Sequence, residues 1–247
     1  MNRSASNPTG ALRESASLEV YLLGTVDFDA ALHLQQRLAD ELRDRSDTRG
    51  ALILCEHPPI VTIGREGAPG DLSLEPGELI ARQIPVRWIG RGGGAVVHVP
   101  GQLAIYPVVP FERLKLSPVD LRTRLEETIV RTCDDLKLPA FHRPEYAGLW
   151  CRTGKLAEIG LSVRSGVSEH GAFLNVSPDL DFVRIAKAPA GERITSLAAE
   201  RHSGTLMHTV RSAVIRHFAE LLGYEQQHLY TGHPSLRRTR IRVPLHA

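Results

Sequence analysis

The sequence predicts an α+β fold with a mixed, largely antiparallel sheet and flanking helices. Short apolar runs bounded by Gly, Pro and polar residues outnumber helical patterns. Several of those runs come in hairpin-like pairs. They do not alternate regularly with helices, which disfavours a doubly wound parallel sheet.

The elements follow in order. LEVYLL (18–23) reads as a strand. Asp27 is placed to cap a helix over 28–44, where Ala31, Leu34, Leu38 and Leu42 recur at helical spacing. ALILCEHPPIVTIG (51–64) reads as two short strands broken by Pro58 and Pro59, since proline cannot continue a ladder. Residues 66–82 are rich in Gly, Pro and acids and read as a loop, and IPVRWIG (84–90) as a strand. Ser117 and Pro118 open the clearest helix, with Asp120 in its first turn. Leu121, Leu125, Thr128, Ile129, Thr132 and Leu136 form its buried face. Residues 147–165 read as a hairpin turning near Arg152 and Gly154, and 172–177 as a further strand. A last amphipathic helix runs from Leu206 to Leu222 and stops at Gly223. The expected organisation is a polar extension (1–17), one domain (18–230) and a basic tail (231–247).

Bulk properties narrow the function classes. A length of 247 residues supports a sizeable core. A net charge of +2 gives no case for a nucleic-acid or membrane partner. Three widely spaced cysteines, Cys55, Cys133 and Cys151, predict reduced thiols in a cytoplasmic protein. No His or Cys cluster has zinc spacing, so no metal is expected.

Chemistry concentrates in a few segments. RWIGRGGGAVVHVPGQLAIYP (87–107) places three glycines after Arg91. Glycines let main-chain N–H groups approach a ligand, and arginine suits an anion or a carbonyl oxygen. A bulge or an ordinary turn explains the same glycines. Neither a dinucleotide fingerprint nor a phosphate loop is present. His98 follows an apolar pair and reads either as a base or as a hydrogen-bonded structural residue. Lys155 opens a strand beside apolar residues, where an ammonium can stabilise a developing anion or lower a thiol's pKa; a solvated turn lysine is the plain alternative. His170 and Gly171 precede AFLNV, and KAPAGERITSL (187–197) holds a tight small-residue loop with Ala190 at its tip.

Taken together, LILCEHPPIVTIGR (52–65), RGGGAVVHVPGQLAIYPV (91–108), GKLAEIGLSVRSGVSEHGAFLNV (154–176) and APAGERITSL (188–197) resemble, in order and spacing, the lipoyl(octanoyl) transferases. The resemblance covers roughly 18–222. It implies the fold of the biotin/lipoate protein ligase superfamily. It also implies transfer of an octanoyl group from octanoyl-acyl carrier protein to a lysine of a lipoyl domain, in a 2-oxoacid dehydrogenase or the glycine cleavage H protein. No cofactor, nucleic acid or membrane is implied. By the resemblance, Arg91, Gly92, Gly93, Gly94, Ala95, Val96, Val97 and His98 bind the acyl substrate. So do Glu158, Ile159 and Gly160, and Gly171, Ala172 and Phe173. Lys155 is the residue that lowers the pKa of a nucleophilic cysteine.

The sequence departs from that pattern. The family loop is Pro-Cys-Gly, and here Ala190 holds the cysteine's position. Val96 stands where the family has Thr, and Val99 where it has Gly. Four explanations follow. Cys151 is a substitute thiol, facing Lys155 if the hairpin turn is three residues long. Transfer is direct, from bound thioester to the acceptor lysine. The protein is an inactive homologue that binds acyl groups, acyl carrier protein or lipoyl domains. The alanine was introduced deliberately. An ATP-dependent lipoate or biotin ligase, which needs no enzyme cysteine, is the alternative enzyme class.

Overall fold

The computed structural model describes residues 16–188, 191–201 and 204–236. The expectations for the outer parts of the extension and tail, and for Ala190, lie outside the described residues.

Strand β1 (Ser17–Thr25) leads into helix α1 (Phe28–Arg43), whose first turn is closed by Asp27 accepting the Ala30 N–H at 3.1 Å. Strands β2 (Gly50–Glu56) and β3 (Ile60–Ile63) flank the double proline and join different sheets. The segment read as a loop over 66–82 contains a 3-10 turn (Pro69–Asp71) and helix α2 (Pro76–Ala81). Pro76 presets the first helical φ, and the Glu75 N–H donates to Glu78 Oε2 at 2.9 Å, so a short helix forms around one buried anchor, Leu79. Strand β4 is shorter than expected (Val86–Trp88), because only these residues pair with the edge of β3.

Strands β5 (Ala95–His98) and β6 (Gln102–Val108) precede a single helical turn, α3 (Phe111–Leu114). Helix α4 (Pro118–Asp135) starts with a reciprocal cap between Ser117 and Asp120. Then come β7 (Phe141–His142), β8 (Leu149–Cys151), β9 (Gly154–Arg164) and β10 (Val167–Asn175). β10 begins five residues earlier than the sequence suggests. Its Gly171 is a strand glycine, since a Cβ there would overlap the Ile105 carbonyl. Short helices α5 (Leu180–Val183) and α6 (Leu197–Arg201), helix α7 (Met207–Leu222) and strand β11 (Gln226–Tyr230) complete the order.

Among the described residues the main sheet has eight strands in the order β11-β1-β2-β6-β10-β9-β8-β7. β1 runs parallel to both neighbours and the remaining pairs are antiparallel. A second sheet, β4-β3-β5, lies beside it. β2 shows why its run is continuously apolar: both faces are covered. Leu52 and Leu54 pack with Leu125, Ile129, Val214 and Phe218 of α4 and α7. Ala51, Ile53 and Cys55 pack with Leu34, Leu38 and Leu42 of α1. A third cluster joins Val61, Ile63, Val97 and Val99 of the small sheet to Val183, Ile185, Ala188 and Ile194. It fixes the segment after α5 against β5, at the N-terminal end of β9.

Candidate active site

Lys155 is the second residue of β9, after a two-residue turn made by Arg152 and Thr153. Its side chain is only 5% exposed and its Nζ donates to Glu158 Oε2 at 2.6 Å. The ammonium also lies 5.1 Å from the Trp150 ring centroid. Trp150 in turn donates its Nε1–H to Glu192, which also pairs with Arg143. The backbone of Lys155 brackets Ile194: its N–H donates to the Arg193 carbonyl at 2.8 Å, and its carbonyl accepts from Thr195 N–H at 2.9 Å. The segment that follows position 190 is therefore held against the lysine strand.

The glycine turn lies on the same strand. Gly92 N–H donates to the Leu161 carbonyl at 3.1 Å, and a Cβ on Gly160 would overlap the Gly92 carbonyl. Gly93 sits at φ +80°, a conformation open to glycine. Arg91 turns inward and is 1% exposed. Its Nη1 donates to Gly92 O at 2.9 Å, and Nη2 to Thr62 O at 3.1 Å and Thr62 Oγ1 at 2.9 Å. Burial lowers its pKa to about 10, so it stays cationic at neutral pH. Among the described residues its buried Nε has no partner.

His98 lies between Thr62 Oγ1 (Nε2, 2.8 Å) and Gln102 Oε1 (Nδ1, 3.0 Å), with Phe173 edge-on at 4.4 Å. Burial holds its pKa well below the usual histidine range. Gln102 Nε2 donates to Asn175 Oδ1 at 3.0 Å, and Asn175 Nδ2 to the Thr195 carbonyl at 3.1 Å. Between these groups lies a narrow cleft lined by Ala95, Val96, Val97, Lys155, Glu158, Val183 and Ile194, among others. About 10 Å³ of it is open to the centre of a water-sized sphere, room for about one water.

The lipoyl protein ligase A/B catalytic domain family matches residues 27–219. The chain belongs to this family. Over 202 residues it is 39% identical to an octanoyltransferase of Geotalea uraniireducens, covering 81% of this chain and 91% of that one. An octanoyltransferase of Koribacter versatilis is 32% identical over 209 residues, with coverage of 81% and 82%. The fold is that of a bipartite lipoate protein ligase from Thermoplasma acidophilum, at a TM-score of 0.69, 20% identity and 89% coverage of each chain.

Within this family member, the residues expected at the acyl site divide by strand face. Arg91, Val96, Val97, His98, Glu158, Phe173 and Lys155 gather around or immediately beneath the cleft. Gly92, Gly93, Gly94 and Gly160 lie along the backbone approach, with Ala95 at its edge, whereas Gly171 pairs with Gly160 but packs against the Ile105 carbonyl of β6. Ile159 and Ala172 send their side chains into the helix-covered core, so only their backbone faces the site.

Cys151 does not face Lys155. The turn has two residues rather than three, so Cys151 pairs with Gly154 and Lys155 with Trp150. Successive strand residues point to opposite faces, which puts the thiol on the helix side. There it donates to the Gly154 carbonyl at 3.5 Å and lines a separate cavity of about 690 Å³ with Leu138, Phe141 and Glu200. Burial pushes the thiol up to about 11. Sequence reasoning missed Thr62, Trp150 and Glu192. Thr62 leaves a trace as the one polar residue in the apolar run IVTI. The described residues hold no group of three or more His, Cys, Asp or Glu able to hold a metal, and no helix long and apolar enough to cross a membrane.

Proposed function

We propose that this chain transfers an octanoyl group from octanoyl-acyl carrier protein to a lysine of a lipoyl domain, as its octanoyltransferase relatives suggest. The observation that carries the reading is the convergence at Lys155. The narrow cleft and the segment after position 190 meet Lys155 itself, and the glycine turn meets its strand, β9, at residues 159–161. A buried ammonium and an inward arginine suit a thioester carbonyl whose oxygen becomes negative during acyl transfer.

Ala190 offers no nucleophile, and Cys151 faces away with a raised pKa. The geometry favours direct transfer. The acceptor amine attacks the thioester carbonyl, the C–N bond forms, the C–S bond breaks, and the departing thiolate takes the amine's proton. Lys155 stabilises the tetrahedral oxygen. The glycine backbone and Arg91 hold the acyl end, with Val96 and Val97 along the alkyl chain. Residues around Val183 and Ile194 must move apart to admit it, because the cleft has room for only about one water. That closed cleft also favours a second reading, a homologue that binds one partner without turnover.

The test incubates the full-length protein with octanoyl-acyl carrier protein and an unmodified lipoyl domain, and follows intact masses. Octanoyl on the lipoyl domain, with none on the enzyme, supports direct transfer. Transfer that appears only in Ala190→Cys refutes it and supports the non-catalytic reading. A persistent acyl adduct on Cys151 would restore the substitute-thiol explanation.

A further inference from the structure

We propose that Thr62, His98, Gln102 and Asn175 form a one-way hydrogen-bond chain from the Arg91 turn to the Thr195 carbonyl, and that these are positioning residues for the segment after position 190. The effect on rate rests on the octanoyl-transfer reading; the chain itself does not.

Its direction follows from its fixed ends. Gln102 carries an amide nitrogen that faces the Val97 carbonyl at 3.2 Å, and a carbonyl can only accept. That orientation leaves Gln102 Oε1 facing His98 Nδ1 at 3.0 Å, so Nδ1 carries the proton. At the other ring nitrogen, Thr62 Oγ1 already accepts from Arg91 Nη2, which can only donate. With the proton on Nδ1, Nε2 of the neutral ring is an acceptor, so the Thr62 hydroxyl donates to it at 2.8 Å. A protonated ring would donate to the second lone pair of Thr62 Oγ1 and take away the acceptor of the hydroxyl proton. Toward the opposite end, Asn175 accepts from Gln102 and donates to the Thr195 carbonyl. Each member allows one arrangement, and Thr62, His98, Gln102 and Asn175 are all at most 4% exposed.

This removes His98 from the list of bases. Both ring nitrogens are spent on the protein. It also explains why polar residues from β3, β5, β6 and β10 are buried together. Thr195 carries the N–H that bonds to the Lys155 carbonyl, so the chain ends on the segment that brackets the lysine. Displacing that segment by about 1 Å is enough to cost about 100-fold in a positioned reaction.

The test uses the full-length protein with 15N-labelled histidine and backbone. Wild-type His98 should show the neutral Nδ1–H tautomer. Thr62→Val keeps the shape and removes both hydroxyl bonds, and it should shift backbone amide signals across residues 191–197. The control, Thr128→Val, removes a buried hydroxyl on α4 that bonds to the Arg124 carbonyl, on the far side of the sheet. It should leave those signals in place. In the transfer assay Thr62→Val should lower kcat about tenfold or more with little change in KM, and Thr62→Ser should restore it. An Nε2–H tautomer at His98 overturns the proposal. So does a Thr62→Val spectrum whose 191–197 signals shift no more than the control's. If wild type transfers nothing, the functional reading fails while the two spectral outcomes still decide the chain.

Discussion

Replacing Lys155 with methionine separates a catalytic role from a structural one. Methionine keeps most of the apolar stem and removes the ammonium. One charge-assisted hydrogen bond, the 2.6 Å contact to Glu158, is lost, a gross contribution of about 1.5–3 kcal/mol. The contact with Trp150 adds about 0.5–2 kcal/mol. Two effects offset this. The Glu158 side chain is 27% exposed, so water takes over the freed carboxylate, and the desolvation cost of the lysine disappears. The net destabilisation is about 1–2 kcal/mol, which lowers Tm by roughly 2–8 °C in a chain of this size. An ammonium facing the tetrahedral oxygen in a dry cleft contributes far more, about 2.7–4 kcal/mol, or a 10²–10³-fold fall in kcat. The assay pairs urea unfolding with octanoyl transfer under saturating donor, well below the variant's Tm. Glu158→Gln serves as the comparison, since it breaks the same ion pair and leaves the ammonium in place. A Lys155→Met enzyme that keeps more than about a third of wild-type kcat would refute the oxyanion role.

Three further outcomes are expected. Cys151→Ala should leave transfer within about twofold of wild type, measured by intact mass, because the thiol lies on the opposite sheet face. Gly160→Ala should destabilise by about 1–3 kcal/mol in urea unfolding and weaken acyl binding, because its Cβ meets the Gly92 carbonyl. Acid should also unfold the protein early. Burial lowers His57 and His170 from 6.5 to about 4. The unfolded chain then binds more protons between those values, so the stability from each is complete above pH 6.5 and is lost as pH falls toward 4. At pH 5 the loss is about 2 kcal/mol per histidine. A flat unfolding midpoint from pH 7 to 5 would contradict this.

The sequence by itself determined much that is local. The caps at Asp27 and at Ser117 with Asp120 appear where short-range hydrogen bonding places them. The amphipathic faces of α1, α4 and α7 follow from burial at a 3.6-residue period, except at two ends: Leu136 falls just past α4 and is half-buried, and Leu206 is an exposed cap of α7. Motif order gave the family, and the missing thiol at position 190 is a fact of one dimension. Tertiary structure decided the rest. One residue of turn length sends Cys151 to the core side and leaves Lys155 over Trp150, because strand faces alternate with period two and a single-residue change inverts them. The sequence leaves His98 as either a base or a hydrogen-bonded structural residue, and tertiary structure decides it: β3 brings Thr62 to its ring across 36 residues, and β10 brings Asn175 to its neighbour Gln102 across 73. Glu192 reaches Trp150 across 42 residues for the same reason. Such partners leave no periodic or neighbouring signal in a chain. They are chosen by which strands pair and in what register, and the burial of the whole core sets that.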